Sequence, residues 1–218
     1  MKISSISGLD IFLRNNYLMR VAPVTSEHLV MVGRVKISHV AEGYPVINQE
    51  LKISVDIPSD YPKNPPKFRE LGGFIPKNEN FHINPDGSIC LGSPFSLMVQ
   101  LQTDDCFNKL FENFFIPYAY ACLLKIHHNI DFIFGELEHG NRGEIEELAE
   151  RFKVTNDDQV VKCLKALTLR KRVANKKLCP CGCLRKLAEC KTHEHLNSCR
   201  LLLPRSKFFK LWEKISKM

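Results

Sequence analysis

The chain has 218 residues, enough for one sizeable core and an appendage. Nine cysteines, and a first decad without an apolar run long enough for an export signal, lead us to expect a cytoplasmic protein with free or metal-bound thiols and no disulfide framework. The longest apolar run, at 114–124, contains Pro117 and is far shorter than the roughly 20 residues that cross a bilayer, so no membrane association is expected.

Charge is distributed unevenly. Residues 161–218 contain 16 Lys or Arg against three Glu, a net charge of +13, whereas the whole chain carries +7. The first 160 residues therefore carry −6. A basic tail on an acidic body suits an anionic partner such as nucleic acid, an acidic protein surface or the body itself. A solvated, lysine-rich helix face explains the same composition equally well.

Strands are predicted in the first half of the chain. Residues 29–40 and 46–57 alternate apolar and polar positions or run through β-branched residues, which is typical of strands. Turn residues at 42–45 separate them, and a third short strand is predicted at 67–71. The three prolines of 60–66 exclude a central strand and predict a rigid loop, where an X-Pro bond can be cis.

Helices are predicted further along. Thr103 to Asp105 has the hydroxyl and carboxylates of a helix N-terminus, followed by an apolar face from Leu110 to Phe115. Pro117 should kink this helix or begin a second one. Another start, Thr155 to Asp158, precedes apolar residues at helical spacing between 160 and 167.

A turn and a cysteine form the first candidate site. Pro85-Asp86-Gly87 makes a tight turn shortly before Cys90, which lies between apolar residues. A thiol on irregular backbone is accessible, and nearby amide or imidazole donors favour its thiolate. The alternative is a core position, because free cysteine is among the most buried residue types.

A family resemblance is carried by motifs in this order along the chain: Tyr61-Pro62, Pro65-Pro66, His82-Ile83-Asn84 and Gly87-Ser88-Ile89-Cys90-Leu91. They resemble the ubiquitin-conjugating enzymes, although Ile83 stands where that family has proline. The resemblance implies an α+β fold, an antiparallel four-stranded meander flanked by helices, over residues 1–172. It also implies that Cys90 forms a thioester, that Asn84 stabilises the oxyanion, and that His82 is mainly structural.

A downstream segment is similar to bacterial members of that superfamily. Residues 135–140, Gly-Glu-Leu-Glu-His-Gly, resemble a motif of conjugating-enzyme relatives in anti-phage (CBASS) operons. The resemblance implies a carried protein with a C-terminal glycine, either a ubiquitin-like protein or a cGAS-like nucleotidyltransferase, and a separate activating enzyme. Glu138 or His139 would then accept the proton of the incoming amine. Alternatively, this segment is a connecting loop whose histidine caps a helix.

A second cysteine group lies in the basic tail, residues 173–218. Cys179, Cys181 and Cys190 have the spacing of a metal knuckle, and it resembles the SEC-C motif of bacterial SecA proteins. His193 is the predicted fourth ligand, with His195 and Cys183 as alternatives. Soft ligands in a cytosolic protein predict structural zinc, which offsets the small core of this tail.

Two other function classes fit the sequence. One is a zinc-containing module that binds nucleic acid or protein on a catalytically idle scaffold, and it predicts salt-sensitive binding through the tail. The other is an inactive conjugating-enzyme relative that acts as an adaptor for a nucleotidyltransferase. It predicts a non-covalent complex that does not depend on Cys90.

Overall fold

The computed structural model describes residues 5–22, 28–133 and 141–217. These residues belong to two compact units, Met1–Glu136 and Leu137–Met218. The boundary expected after residue 172 falls inside the second unit, because the helix at Asp157–Thr168 packs against the last helix of the chain. Among the described helices, none combines the length and apolar character needed to cross a membrane.

The first unit is built on a four-stranded sheet, which confirms the predicted antiparallel arrangement. Its strands follow one another in space as they do in sequence, and every pair is antiparallel. They are β1 (Arg20–Val21), β2 (Leu29–His39), β3 (Ile47–Ile57) and β4 (Lys67–Glu70). The alternating patterns of β2 and β3 pair from Leu29 opposite Ile57 to His39 opposite Ile47, on either side of the predicted turn.

The described helices of this unit are α1 (Leu9–Asn15), α2 (Pro94–Thr103), α3 (Phe107–Leu110) and α4 (Ile116–His128). Within this unit α4 packs against β2 and β3, and aromatic side chains make other contacts between the sheet and the helices. Alternation buries one side of each long strand, including Met31 and Val55. The Phe68 ring of β4 stacks on Phe115, with ring centroids 5.2 Å apart. This apolar layer fixes the edge strand β4, from which the candidate site extends.

One predicted helix start is wrong. Thr103 ends α2, which begins after Ser93, whose hydroxyl accepts a hydrogen bond from the Ser96 amide at 3.0 Å. The next helix begins only at Phe107, so the carboxylates at 104 and 105 lie in the connection. Pro117 lies in the first turn of α4, directly after a π-helical turn that joins α3 to α4, as the predicted interruption required.

The second unit is helical around a cysteine hairpin. Its described helices are α5 (Asn141–Phe152), α6 (Asp157–Thr168), α7 (Lys171–Ala174), α8 (Thr192–Leu202) and α9 (Arg205–Ile215). The predicted start of α6 is confirmed, since the Asn156 side chain accepts a hydrogen bond from the Gln159 amide at 2.9 Å. Buried Phe208 and Leu211 pack α9 against α6.

Candidate functional site

The segment around Cys90 folds into two facing arms. Ile83 and Ile89 form an isolated antiparallel bridge. On one side of it, the Cys90 amide donates to the His82 carbonyl at 2.8 Å. On the other side, the Asn84 amide donates to the carbonyl of residue 88, also at 2.8 Å. The structure therefore brings the predicted residues His82, Asn84 and Cys90 together on the arms of one short hairpin.

The bend between the arms is the predicted Pro-Asp-Gly turn. Gly87 has a φ of 75°, in the left-handed region that favours glycine, and its amide donates to the Asn84 carbonyl at 2.8 Å. A Cβ atom at Gly87 would meet no atom within 4 Å. Glycine is required here by backbone conformation and not by crowding.

A polar relay braces the bend. The Asn84 amide nitrogen Nδ2 donates to the Ser88 hydroxyl at 3.0 Å, and this hydroxyl in turn donates to Asp86. Lys67 of β4 donates to the second carboxylate oxygen of Asp86 at 2.8 Å. The hydrogen bonds from Lys67 and Ser88 hold the pKa of Asp86 well below its ordinary value. Sequence reasoning missed this relay, although an Asp two residues before a Ser is a common turn signal.

Both arms are also attached to the body of the unit. The Ile89 amide donates to the Phe68 carbonyl of β4 at 2.8 Å. The Tyr118 hydroxyl of α4 donates to the Phe81 carbonyl, also at 2.8 Å, and burial raises the pKa of this phenol above its ordinary value. The His82 ring lies edge-on to Phe132, with 4.6 Å between the ring centroids.

Cys90 differs from the interior thiol of the same unit. Its side chain is half-exposed, and its Sγ atom lies 3.8 Å from the Gly92 carbonyl oxygen. Cys122 of α4 is fully buried, and burial raises the pKa of that thiol to about 12. Of these two sulfur atoms, only that of Cys90 can be reached from solvent without unfolding of the core.

The predicted proton acceptor cannot be placed in this hairpin. His139 and Glu138 lie outside the described residues. The motif to which they belong leads into α5, whose first described residue is Asn141. The acid/base role of His139 therefore stays a prediction.

Four thiols meet in the second unit. Their Sγ atoms all lie within 4.8 Å of one another, and they belong to Cys179, Cys181, Cys183 and Cys190. Cys179 and Cys181 are 3.2 Å apart, and Cys181 and Cys190 are 3.6 Å apart. A tetrahedral metal with bonds of about 2.3 Å to sulfur separates its ligands by about 3.8 Å. The group can therefore hold a metal ion after small adjustments.

Local backbone structure creates this group. Leu178 and Lys186 form an antiparallel bridge, and the Cys179 amide donates to the Arg185 carbonyl at 2.8 Å. Left-handed conformations at Gly182 and Leu184, with φ of 82° and 61°, turn the chain back on itself. This knuckle brings three thiols to one side, and the fourth is supplied by Cys190 just before α8.

The structure does not place the predicted fourth metal ligand with the other three. His193 is not a member of the thiol group and lies in α8, where its Nε2 atom is 3.0 Å from the Asn197 amide nitrogen. Cys183, which was the weaker alternative, completes the group because the bend of the knuckle brings its sulfur close to the other three.

The thiols of the group differ in pKa. A hydrogen bond from Thr192 lowers the pKa of Cys190 to about 6, whereas burial raises the pKa of Cys179 to about 12.

Comparison with known proteins gives no relative. No protein-family model, no curated protein and no solved structure matches this chain. The structure itself shows an α+β protein with a four-stranded antiparallel sheet, helices and a cysteine group that can bind metal.

Proposed function

We propose that the chain is a ubiquitin-conjugating-like transferase with Cys90 as its nucleophile. The observation that supports this most is the half-exposed Cys90 thiol on an arm paired with His82 and next to the Asn84–Ser88 pair. A hairpin that carries a thiol on one arm and an amide donor on the other has the parts that acyl transfer needs. The motif order along the sequence supports the same proposal.

The reaction has two balanced steps. The Cys90 thiolate attacks the thioester carbonyl of a protein C-terminus carried by an activating enzyme, and the activating enzyme's thiolate leaves. A lysine amine of the acceptor then attacks the new Cys90 thioester, forms the C–N bond, and expels the Cys90 thiolate. The amine's proton passes to a base, for which His139 is the candidate. Little further machinery is needed, because a thioester is already activated.

Asn84 has a defined task in this scheme. Its side-chain amide offers two N–H donors, and one of them is engaged by the Ser88 hydroxyl. The engaged donor fixes the orientation of the amide, and the second is available for the oxyanion that forms when the amine attacks. A preorganised donor of this kind is worth about 3 kcal/mol.

The carried protein is proposed by class. A ubiquitin-like protein or a cGAS-like nucleotidyltransferase with a C-terminal glycine would supply the acyl group, in an anti-phage setting. The support is the sequence motif at 135–140 alone.

We also propose that the four thiols hold structural zinc. Four soft thiolates suit zinc, and a closed set of four protein ligands leaves no position for water or substrate. In this role the metal joins the knuckle to the start of α8 and stabilises a unit whose described cysteines form no disulfide.

The test of the transfer proposal is adduct formation. The chain is expressed with the proteins of its neighbouring genes and analysed by non-reducing mass spectrometry. An adduct that thiols release is expected on wild-type protein and on Cys106→Ser, the control at another partly exposed cysteine of the same unit. Cys90→Ser should give only a thiol-resistant oxygen ester or no adduct. If Cys90→Ser still forms the thiol-sensitive adduct, the proposal is wrong.

A further inference from the structure

One short segment holds the entire net charge of the protein. Residues 170–191 contain eight Lys or Arg and a single Glu, a net charge of +7, which equals that of the whole chain. The other 196 residues are therefore neutral in sum. The eight cations are Arg170, Lys171, Arg172, Lys176, Lys177, Arg185, Lys186 and Lys191.

Backbone hydrogen bonds pair the two chain segments that carry several of these cations. The Leu187 amide donates to the Lys177 carbonyl at 2.9 Å, and Leu178 bridges Lys186. Lys176 and Lys177 on one arm of the cysteine knuckle therefore lie beside Arg185 and Lys186 on the other. The short helix α7, which carries Arg172, leads directly into the first arm. We call these five residues (Arg172, Lys176, Lys177, Arg185 and Lys186) the basic face.

The basic face is exposed and free of carboxylate partners. Every one of its five side chains is exposed, and within the described ranges none forms an ion pair. An open groove is lined by Arg172, Val173, Lys176 and Lys177. Four thiolates around one Zn²⁺ would add a charge of about −2 nearby, which still leaves the segment strongly positive. Like charges held together at this density favour an anionic partner.

We infer that the basic face binds the phosphodiester backbone of double-stranded nucleic acid. Cations that line a groove can contact a chain of regularly spaced phosphates. Each phosphate that a cation neutralises releases a counterion from the nucleic acid. Residues 170–191 contain no aromatic side chain on which an unpaired base could stack. Contacts are therefore made to phosphates, so binding should be independent of base sequence.

An anionic membrane is the competing partner, and the test must separate the two. Leu178 and Leu184 are 68% and 83% exposed at the knuckle, and exposed leucines beside cations also suit lipid headgroups. A membrane partner would depend on these leucines and bind vesicles of phosphatidylglycerol. A duplex would depend on the cations of the basic face.

The number of phosphate contacts can be measured from the salt dependence of binding. If the five cations of the basic face each contact a phosphate, the slope of log K against log salt is about −4.5, and raising salt from about 50 to 200 mM weakens binding ~500-fold. Neutralising three of them should reduce the slope to about −1.8, so that the same rise in salt weakens binding only ~12-fold.

The experiment is fluorescence anisotropy of a labelled DNA duplex of about 20 base pairs with the full-length chain. The test variant is Arg172→Gln/Lys176→Gln/Lys177→Gln, and the matched control is Lys36→Gln/Lys52→Gln/Lys77→Gln, three exposed cations of the first unit. We expect the test variant alone to lose affinity at least tenfold at low salt and to show the shallower slope. Circular dichroism checks that both variants are folded.

Three results would overturn the inference. They are an absence of binding at low salt, equal losses in the test and control variants, and binding to phosphatidylglycerol vesicles that is stronger than binding to the duplex and is abolished by Leu184→Ser.

Discussion

The ion pair between Glu144 and Lys214 allows a sharp test of the second unit. Glu144 of α5 is buried, with its side chain 1% exposed, and Lys214 of α9 donates to its Oε2 atom. The other carboxylate oxygen, Oε1, is buried and accepts no hydrogen bond from the described residues. Lys214 is 48% exposed, so the two partners differ greatly in how much solvent they can regain.

This difference in exposure predicts how each substitution changes the free energy of unfolding. Lys214→Met leaves the buried Glu144 carboxyl group with neither oxygen paired, a loss that costs about 3–5 kcal/mol where both partners are fully buried. Partial exposure of the lysine lowers our expectation to about 2 kcal/mol, since water can enter where its ammonium group was. Glu144→Leu removes the buried charge and frees a lysine that solvent can reach, so stability should stay within about 1 kcal/mol of wild type.

Urea unfolding measures both variants. The single tryptophan, Trp212, lies in α9 two residues before Lys214, so its fluorescence reports on the second unit. With a slope of about 1 kcal/mol per molar urea, Lys214→Met should lower the midpoint by roughly 2 M. The control is Lys217→Met, whose partner Glu213 is half-exposed, and it should change the midpoint very little. Equal losses in Glu144→Leu and Lys214→Met would refute the reasoning.

Three further predictions concern the two cysteine sites and the buried thiol of Cys122. Cys183→Ser should reduce the bound zinc measured by elemental analysis from one ion per chain, whereas His193→Ala should leave it unchanged; the opposite result would restore the histidine as a ligand. Asn84→Ala should slow transfer from the Cys90 thioester about 100-fold in single-turnover assays while loading changes less, and equal slowing of both steps would exclude an oxyanion role. Burial raises the pKa of Cys122 from 9.0 to about 12, so the folded chain keeps a proton that the unfolded chain releases. The contribution of Cys122 to the stability of the first unit should therefore be constant below about pH 9 and be lost as pH rises toward 12, so that a smaller fall in stability at alkaline pH is expected in Cys122→Ala.

The strands were predictable because their burial repeats every second residue. Apolar and polar positions alternate through β2 and β3, and that pattern alone located both strands to within a residue at each end. The sequence of α2 shows no comparable periodic pattern. It has apolar residues on several sides, and the carboxylates after Thr103 are typical of a helix start. A local pattern cannot show that these residues end one helix instead of beginning the next.

In the candidate site, too, some features could be predicted from the local sequence and others could not. Cys90 stands out in the sequence because a Pro-Asp-Gly bend precedes it, and the pairing of residues 82 and 90 follows from that bend. The anchoring of the arms by Phe68 and Tyr118 does not, because these contacts join residues far apart in the chain.

By itself, the sequence determined which elements alternate, which turns bend and which cysteines are closely spaced, since each of these depends on residues a few positions apart. Tertiary structure alone decided that Cys183 and not His193 joins the thiol group, that Lys67 reaches Asp86, and that Lys214 pairs with a buried carboxylate. Spacing limits which side chains can meet, but the fold of the intervening backbone selects among them. That selection is made by packing and burial, which are properties of the whole unit.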